Sequence, residues 1–187
     1  MSLEFWKNAS SKRRRIIIIV TFFVFAILVT IVGILTPMSS QQRIDENNEL
    51  NNTQQQIQNM DLAHRTAAIF LNNFEICLLM FVPFVGIILG TFVLFNTGSV
   101  LAAETLTYNL THGTNLPPIG VFATLFVFPF AWLEFISYST GLSEGFWLIR
   151  RGLQGELKRE IKNLAKLVLI TAALLAAGAL IEAALIP

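Results

Sequence analysis

Charge is what this chain has little of. Asp, Glu, Lys and Arg make up 13% of its 187 residues, against roughly 25% in ordinary soluble domains. That excludes a conventional water-soluble globule. Cysteine occurs once, so no intrachain disulfide can form. Cys77 stands in an apolar stretch and is expected to pack as a small buried hydrophobe. Histidine occurs twice, and neither His64 nor His112 has a second metal ligand at helical spacing. There is no HxxxH, ExxH, CxxC or GxSxG motif, no phosphate loop and no dinucleotide fingerprint. The expectation is therefore no enzyme, no cofactor and no metal. Basic residues are not interleaved with aromatic ones, which argues against nucleic acid as a partner.

Long apolar runs are what the chain has instead. Residues 16–35 (IIIIVTFFVFAILVTIVGIL) carry no charge and, as a helix, extend about 30 Å, the thickness of the bilayer hydrocarbon. The run is too long for the apolar part of a cleaved signal peptide, and GILTPMSS lacks a small-x-small cleavage pattern, so a retained anchor is expected. Four further stretches follow: 69–95, a short one at 98–112 containing Glu104, 117–140 interrupted by Pro129, and 164–186. The reading is an all-α, polytopic transmembrane bundle of about five spans forming one domain, with the third span short or re-entrant. FNTGS is expected to be a tight turn between spans two and three.

Basic residues orient the bundle. Lys7, Lys12, Arg13, Arg14 and Arg15 precede the first span. Arg150, Arg151, Lys158, Arg159, Lys162 and Lys166 lie between the fourth and fifth. The positive-inside rule places both groups in the cytoplasm. Residues 1–15 and 141–163 are then cytoplasmic, the polar loop 36–68 is extracytoplasmic, the N-terminus is in and the C-terminus out. The loop is rich in Asn, Gln and Glu, a composition compatible with a solvated helix or a tether, and Asn51 begins a glycosylation acceptor pattern. In 141–163 the residues Leu142, Phe146, Ile149, Leu153, Leu157 and Ile161 repeat at helical spacing. The expectation is a basic amphipathic helix in the membrane interface, with Trp147, Arg150, Arg151, Lys158 and Arg159 at the lipid headgroups. Gly152 and Gly155 are its expected weak points.

Candidate site residues are the polar groups in or near the spans. A carboxylate in hydrocarbon is costly, so Glu75, Glu104, Glu134 and Glu182 should each face protein, a water-filled vestibule or a hydrogen-bonding partner. By the topology, Glu75 and Glu182 lie near the outer surface at the level of His112, Glu104 lies near mid-membrane, and Glu134 nearer the cytoplasm. Asn72 and Asn73 lie beside Glu75. In NLTHGTNLPPIG, Gly113 is expected to take positive φ, His112 to cap the preceding helix, and the prolines to start the next one.

Four of these stretches also carry a resemblance. FLNNFEICLLMFVPFVGIILGTFVLFNTG, THGTNLPPIG, RRGLQGELKREIKNL and LIEAALIP occur in an order that resembles the stage II sporulation protein M family over about residues 69–187. The family pattern has an acidic residue just before Leu-Pro, where this chain has Asn115. The resemblance implies a polytopic membrane protein that organises partners; its sporulation member looks like a scaffold recruiting cell-wall-degrading proteins. The expected function is thus a non-catalytic scaffold or accessory subunit, with other membrane proteins, a second copy of the chain and the bilayer as partners. The alternatives are a transporter or channel component using the buried acids, and a subunit of a larger membrane enzyme that has no catalytic residues of its own.

Overall fold

The computed structural model describes residues 10–186; Lys7 and Pro187 lie outside them. The described residues form seven helices and no strand. Helix α1 (Ser11–Leu35) starts where the Ser10 hydroxyl accepts the Arg13 amide at 3.3 Å, and the chain leaves it before Pro37. Helix α2 (Ser40–Gln58) opens on a capping box between Ser39 and Gln42. The polar loop is therefore a helix. Helix α3 (Leu62–Met80) is capped by Asp61, whose carboxylate accepts the His64 amide at 3.0 Å.

Spans two and three are cut differently from the expectation. Helix α4 (Val85–His112) runs unbroken for 28 residues through FNTGS. The chain reverses earlier, at Phe81–Phe84. There Val85 N–H donates to Pro83 O at 2.7 Å and Phe84 takes φ 62, ψ −62, a strained γ-turn. Gly98 serves close approach and not a turn. A Cβ there would stand 2.1 Å from Thr30 O, and one on Gly33 would stand 2.0 Å from Phe95 O. Helices α1 and α4 thus meet backbone to backbone at a small-residue contact of the kind membrane helices use.

The stretch 117–140 is likewise two pieces. Helix α5 (Pro118–Leu125) and helix α6 (Pro129–Leu153) both begin on proline and are bent by 90° at the intervening break. The expected interfacial helix 141–163 does not exist as one element. It is the second half of α6, a turn at Gly155 (φ 71), and the start of helix α7 (Leu157–Leu185). Leu142 is fully buried in the core, while Leu153 and Ile161 are exposed.

Helix α6 is the centre of the molecule, packed by α1, α3, α4 and α7. Residues 137–145, STGLSEG with Ser137 and Tyr138 before it, are buried on every side. Small side chains let the surrounding helices close in. A Cβ on Gly145 would stand 2.7 Å from Met80 O. The hydroxyls satisfy themselves: Ser137 donates to Leu133 O at 2.7 Å and Thr140 to Ile136 O at 2.8 Å. Three helices, α1, α4 and α7, are long and apolar enough to cross a membrane, and the α5–α6 pair makes up to four.

Candidate functional site: polar clusters at the two ends of the central helix

One end of the bundle carries Arg65, the other Arg15. Arg65 is 9% exposed, and its five N–H groups reach five backbone carbonyls. Nε donates to Ile57 O (3.2 Å), Nη1 to Ala183 O (3.2 Å) and Ile186 O (2.5 Å), and Nη2 to Gln58 O (3.1 Å) and Met60 O (3.4 Å). Those carbonyls lie at the C-termini of α2 and α7, where a cation is favoured. Arg65 therefore straps α2 across this end. Beside it, the His64 amide and then its ring hold the exposed Asp61 carboxyl below the ordinary carboxylate range.

Beneath α2 lies a recess. Two adjoining cavities of about 440 and 370 Å³ share Thr53, Ile57, Ile69 and Glu182. Asn72, Asn73 and Glu134 line the smaller one. Asn73 Nδ2 donates to Glu134 Oε1 at 2.7 Å, and Glu134 and Glu182 line the same cavity. Glu134 thus stands at the level of Glu182 and not at the opposite end. The reason is the break before Pro129, which places Glu134 in the first turns of α6. Glu182 joins Glu134 and Asn73, and not His112. Asn72 and Glu75 are exposed.

The loop that carries His112 is a bend with its own internal staple. Gly113 has φ 64, as its place after α4 predicts. Asn109 holds the loop: its Oδ1 accepts Leu116 N–H at 2.9 Å and the Thr114 hydroxyl at 2.7 Å, and its Nδ2 donates to Leu116 O at 2.8 Å. His112 stacks on Tyr108 with ring centroids 4.1 Å apart. Asn115 is exposed. Glu104 is half-buried and lines a separate cavity with Thr105 and Tyr108.

The Arg15 end holds a network that sequence reading missed. Arg15 Nη1 meets Glu144 Oε2 at 2.6 Å and its Nη2 pairs with Glu160. Arg151 Nε lies 2.9 Å from Glu160 Oε1 and its Nη1 pairs with Glu156. Trp147 is 2% exposed, with Arg15 and Arg151 5.0 and 4.9 Å from its ring centroid. The expected lipid contact of Trp147 and Arg151 is thus corrected: both face protein, because the α6–α7 hairpin folds their side chains against the start of α1. Arg150 is half-buried 5.9 Å from the same ring. Lys158 and Arg159 remain exposed. The signal for this network was acidic: Glu144 and Glu160 interrupt a basic stretch.

The all-helical bundle, its proline-broken span and the bend at His112–Pro118 coincide with the motifs quoted above, and a family model described as stage II sporulation protein M matches residues 17–187. The chain belongs to the stage II sporulation protein M family. The match extends the resemblance back through α2 and nearly all of α1 and makes this an integral membrane protein. No curated protein and no solved structure matches the chain.

Proposed function

We propose that this protein is a non-catalytic membrane scaffold that docks the outer domains of other membrane proteins on α2. One observation carries the reading: a polar helix tied by Arg65 across one end of the bundle. Its inner face (Arg43, Glu46, Leu50, Ile57) is half-buried, and its outer face (Asn48, Asn51, Asn52, Gln55) is exposed. Fixing a helix of Asn and Gln costs conformational entropy and gains little apolar burial, so its placement there is better explained by what it presents. Each amide offers both donors and an acceptor, which fits a partner surface made of polar side chains and backbone rather than an apolar one.

In this reading the chain crosses the membrane five times, with α1, α3, α4, the α5–α6 pair and α7 alternating in direction. The Arg15 end is cytoplasmic and the Arg65 end is outside, as the basic residues require. Helix α3 is the least apolar crossing, because Arg65, Asn72, Asn73 and Glu75 lie on it.

Cysteine accessibility in cells tests the topology. Native Cys77 is buried and contributes little background. Gln55→Cys should react with an impermeant thiol reagent from outside and Gln154→Cys should not; the reverse pattern sinks the orientation. Changing Asn48, Asn52 and Gln55 together to Lys should leave a monodisperse protein that no longer co-purifies with its membrane partners. Retention of the same partners sinks the docking role of α2. A transporter component is the second reading, favoured by the Glu134–Glu182 pair facing an open recess.

A further inference from the structure

Helix α4 outruns the span it packs against, and its far end carries a groove. Gly33 of α1 lies against Phe95 and Ser99 of α4, and Gly98 against Thr30 and Ile34. Further down, Phe25, Leu28 and Val29 share a cavity with Ile88 and Phe92. The two helices therefore run parallel, with Leu35, the last residue of α1, about level with Ser99. Leu35 ends the uncharged run, and Asn96 and Thr97 stand exposed near the same level, so the hydrocarbon ends there. From Ser99 the helix continues to His112, about 20 Å further at about 1.5 Å per residue. This outer part of α4 stands in water and not in lipid.

The groove there is apolar all the same. Leu101, Tyr108, Leu116, Val121 and Leu125 wall a cavity of about 330 Å³ between α4, the His112 loop and α5, with Glu104 the charged residue among its lining. Tyr108 and Leu116 are 46% and 45% exposed. The Asn109 clamp fixes Leu116 beside α4, so the groove is formed before anything binds, which lowers the ordering cost of binding. An apolar groove held in water, with no lipid to fill it, marks a protein contact. Charge selects the occupant. In this half of the bundle Asp45, Glu46 and Asp61 join Glu104, Glu134 and Glu182, against Arg43 and Arg65, and Arg65 is committed to backbone carbonyls. A second copy of the chain would bring like charges together, whereas a basic partner is attracted. We propose that this groove docks a partner segment that combines apolar and basic side chains, the apolar ones against Leu116 and Val121 and a basic one on Glu104. It selects a chemistry that the amides of α2 do not, and it rests on the orientation proposed above only for the side of the membrane from which the partner comes.

The test uses the full chain in nanodiscs of zwitterionic phosphatidylcholine, which offer a probe no net lipid charge. A dye-labelled peptide Lys-Leu-Lys-Leu-Lys should bind saturably by fluorescence anisotropy, above the signal of empty nanodiscs. Glu-Leu-Glu-Leu-Glu and Lys-Ser-Lys-Ser-Lys should not. Leu116→Gln, in an exposed loop, and Glu104→Gln should each weaken binding about fivefold or more, and Glu104→Gln should also flatten its dependence on salt. No binding above empty nanodiscs, equal binding of the acidic peptide, or undiminished binding by both variants overturns the proposal. Depth is tested in cells. Leu110→Cys, at a residue 70% exposed, should react with an impermeant thiol reagent from outside. Silence there while Gln55→Cys reacts puts the end of α4 in lipid and overturns this proposal alone; silence at both overturns the orientation as well. Alanine at Asn48, Asn52 and Gln55 together should leave peptide binding intact, so docking on α2 and docking in this groove fail separately.

Discussion

Arg65 shows how much one side chain can fix. It ends two helices at once, and without it the carbonyls of Ile57, Gln58, Ala183 and Ile186 lose their charged donor. A buried acceptor left bare costs about 1–3 kcal/mol, and several are at stake. Arg65→Ala should therefore lower the unfolding midpoint in detergent more than any single substitution on the outer face of α2. Arg65→Lys should recover only part of the loss, since three donors replace five. An Arg65→Ala protein as stable as wild type would remove the strap. In the sequence Arg65 is merely one of two basic residues, with Arg43, that lie outside the orienting groups. Its role was illegible because its partners are backbone carbonyls, which leave no mark in the sequence, and two of them lie more than a hundred residues away at the end of α7.

At the scale of elements, the contact between α1 and α4 rests on Gly33 and Gly98. Gly98→Leu adds a side chain where a Cβ alone would stand 2.1 Å from a carbonyl oxygen that belongs to backbone. Neither helix can yield locally, so the pair must separate, at a cost of about 1–3 kcal/mol or more. The measurement is thermal unfolding of Gly98→Leu beside Gly152→Leu, where the nearest atoms are ordinary side-chain neighbours at 3.7 Å. Equal destabilisation would mean that close approach is not what Gly98 provides. The same glycine explains the misplaced turn. Asn-Thr-Gly-Ser reads locally as a loop, but a helix buried against another backbone needs the missing side chain more than it needs a better helix former. Pro83 and Pro129 do break helices as their chemistry requires, and Pro118 begins one.

Across the whole molecule, the Arg15 network ties the first helix to the α6–α7 hairpin. Glu144 is 2% exposed and one of its oxygens has no hydrogen-bond partner, so it depends on Arg15. Arg15→Met should cost about 3–5 kcal/mol by leaving that carboxylate buried and unpaired. The double variant Arg15→Met/Glu144→Gln should be distinctly more stable than Arg15→Met alone, a coupling that a double-mutant cycle measures. Additive losses would show that the pair does not act as a unit. By itself the sequence determined the class: long uncharged runs cannot be solvated, their backbone must satisfy itself, and helices are the result. It also determined the bend at His112–Pro118, because Gly and Pro act on their own backbone. Only the tertiary structure decided that the most buried segment is the small, hydroxyl-rich run around Gly141. Hydropathy ranks each residue by its preference for water, whereas the centre of a helical bundle selects for how closely backbones can approach. Only the fold, too, brought Asn73, Glu134 and Glu182 to one cavity, since three separate helices supply them and no spacing along the chain records that they meet.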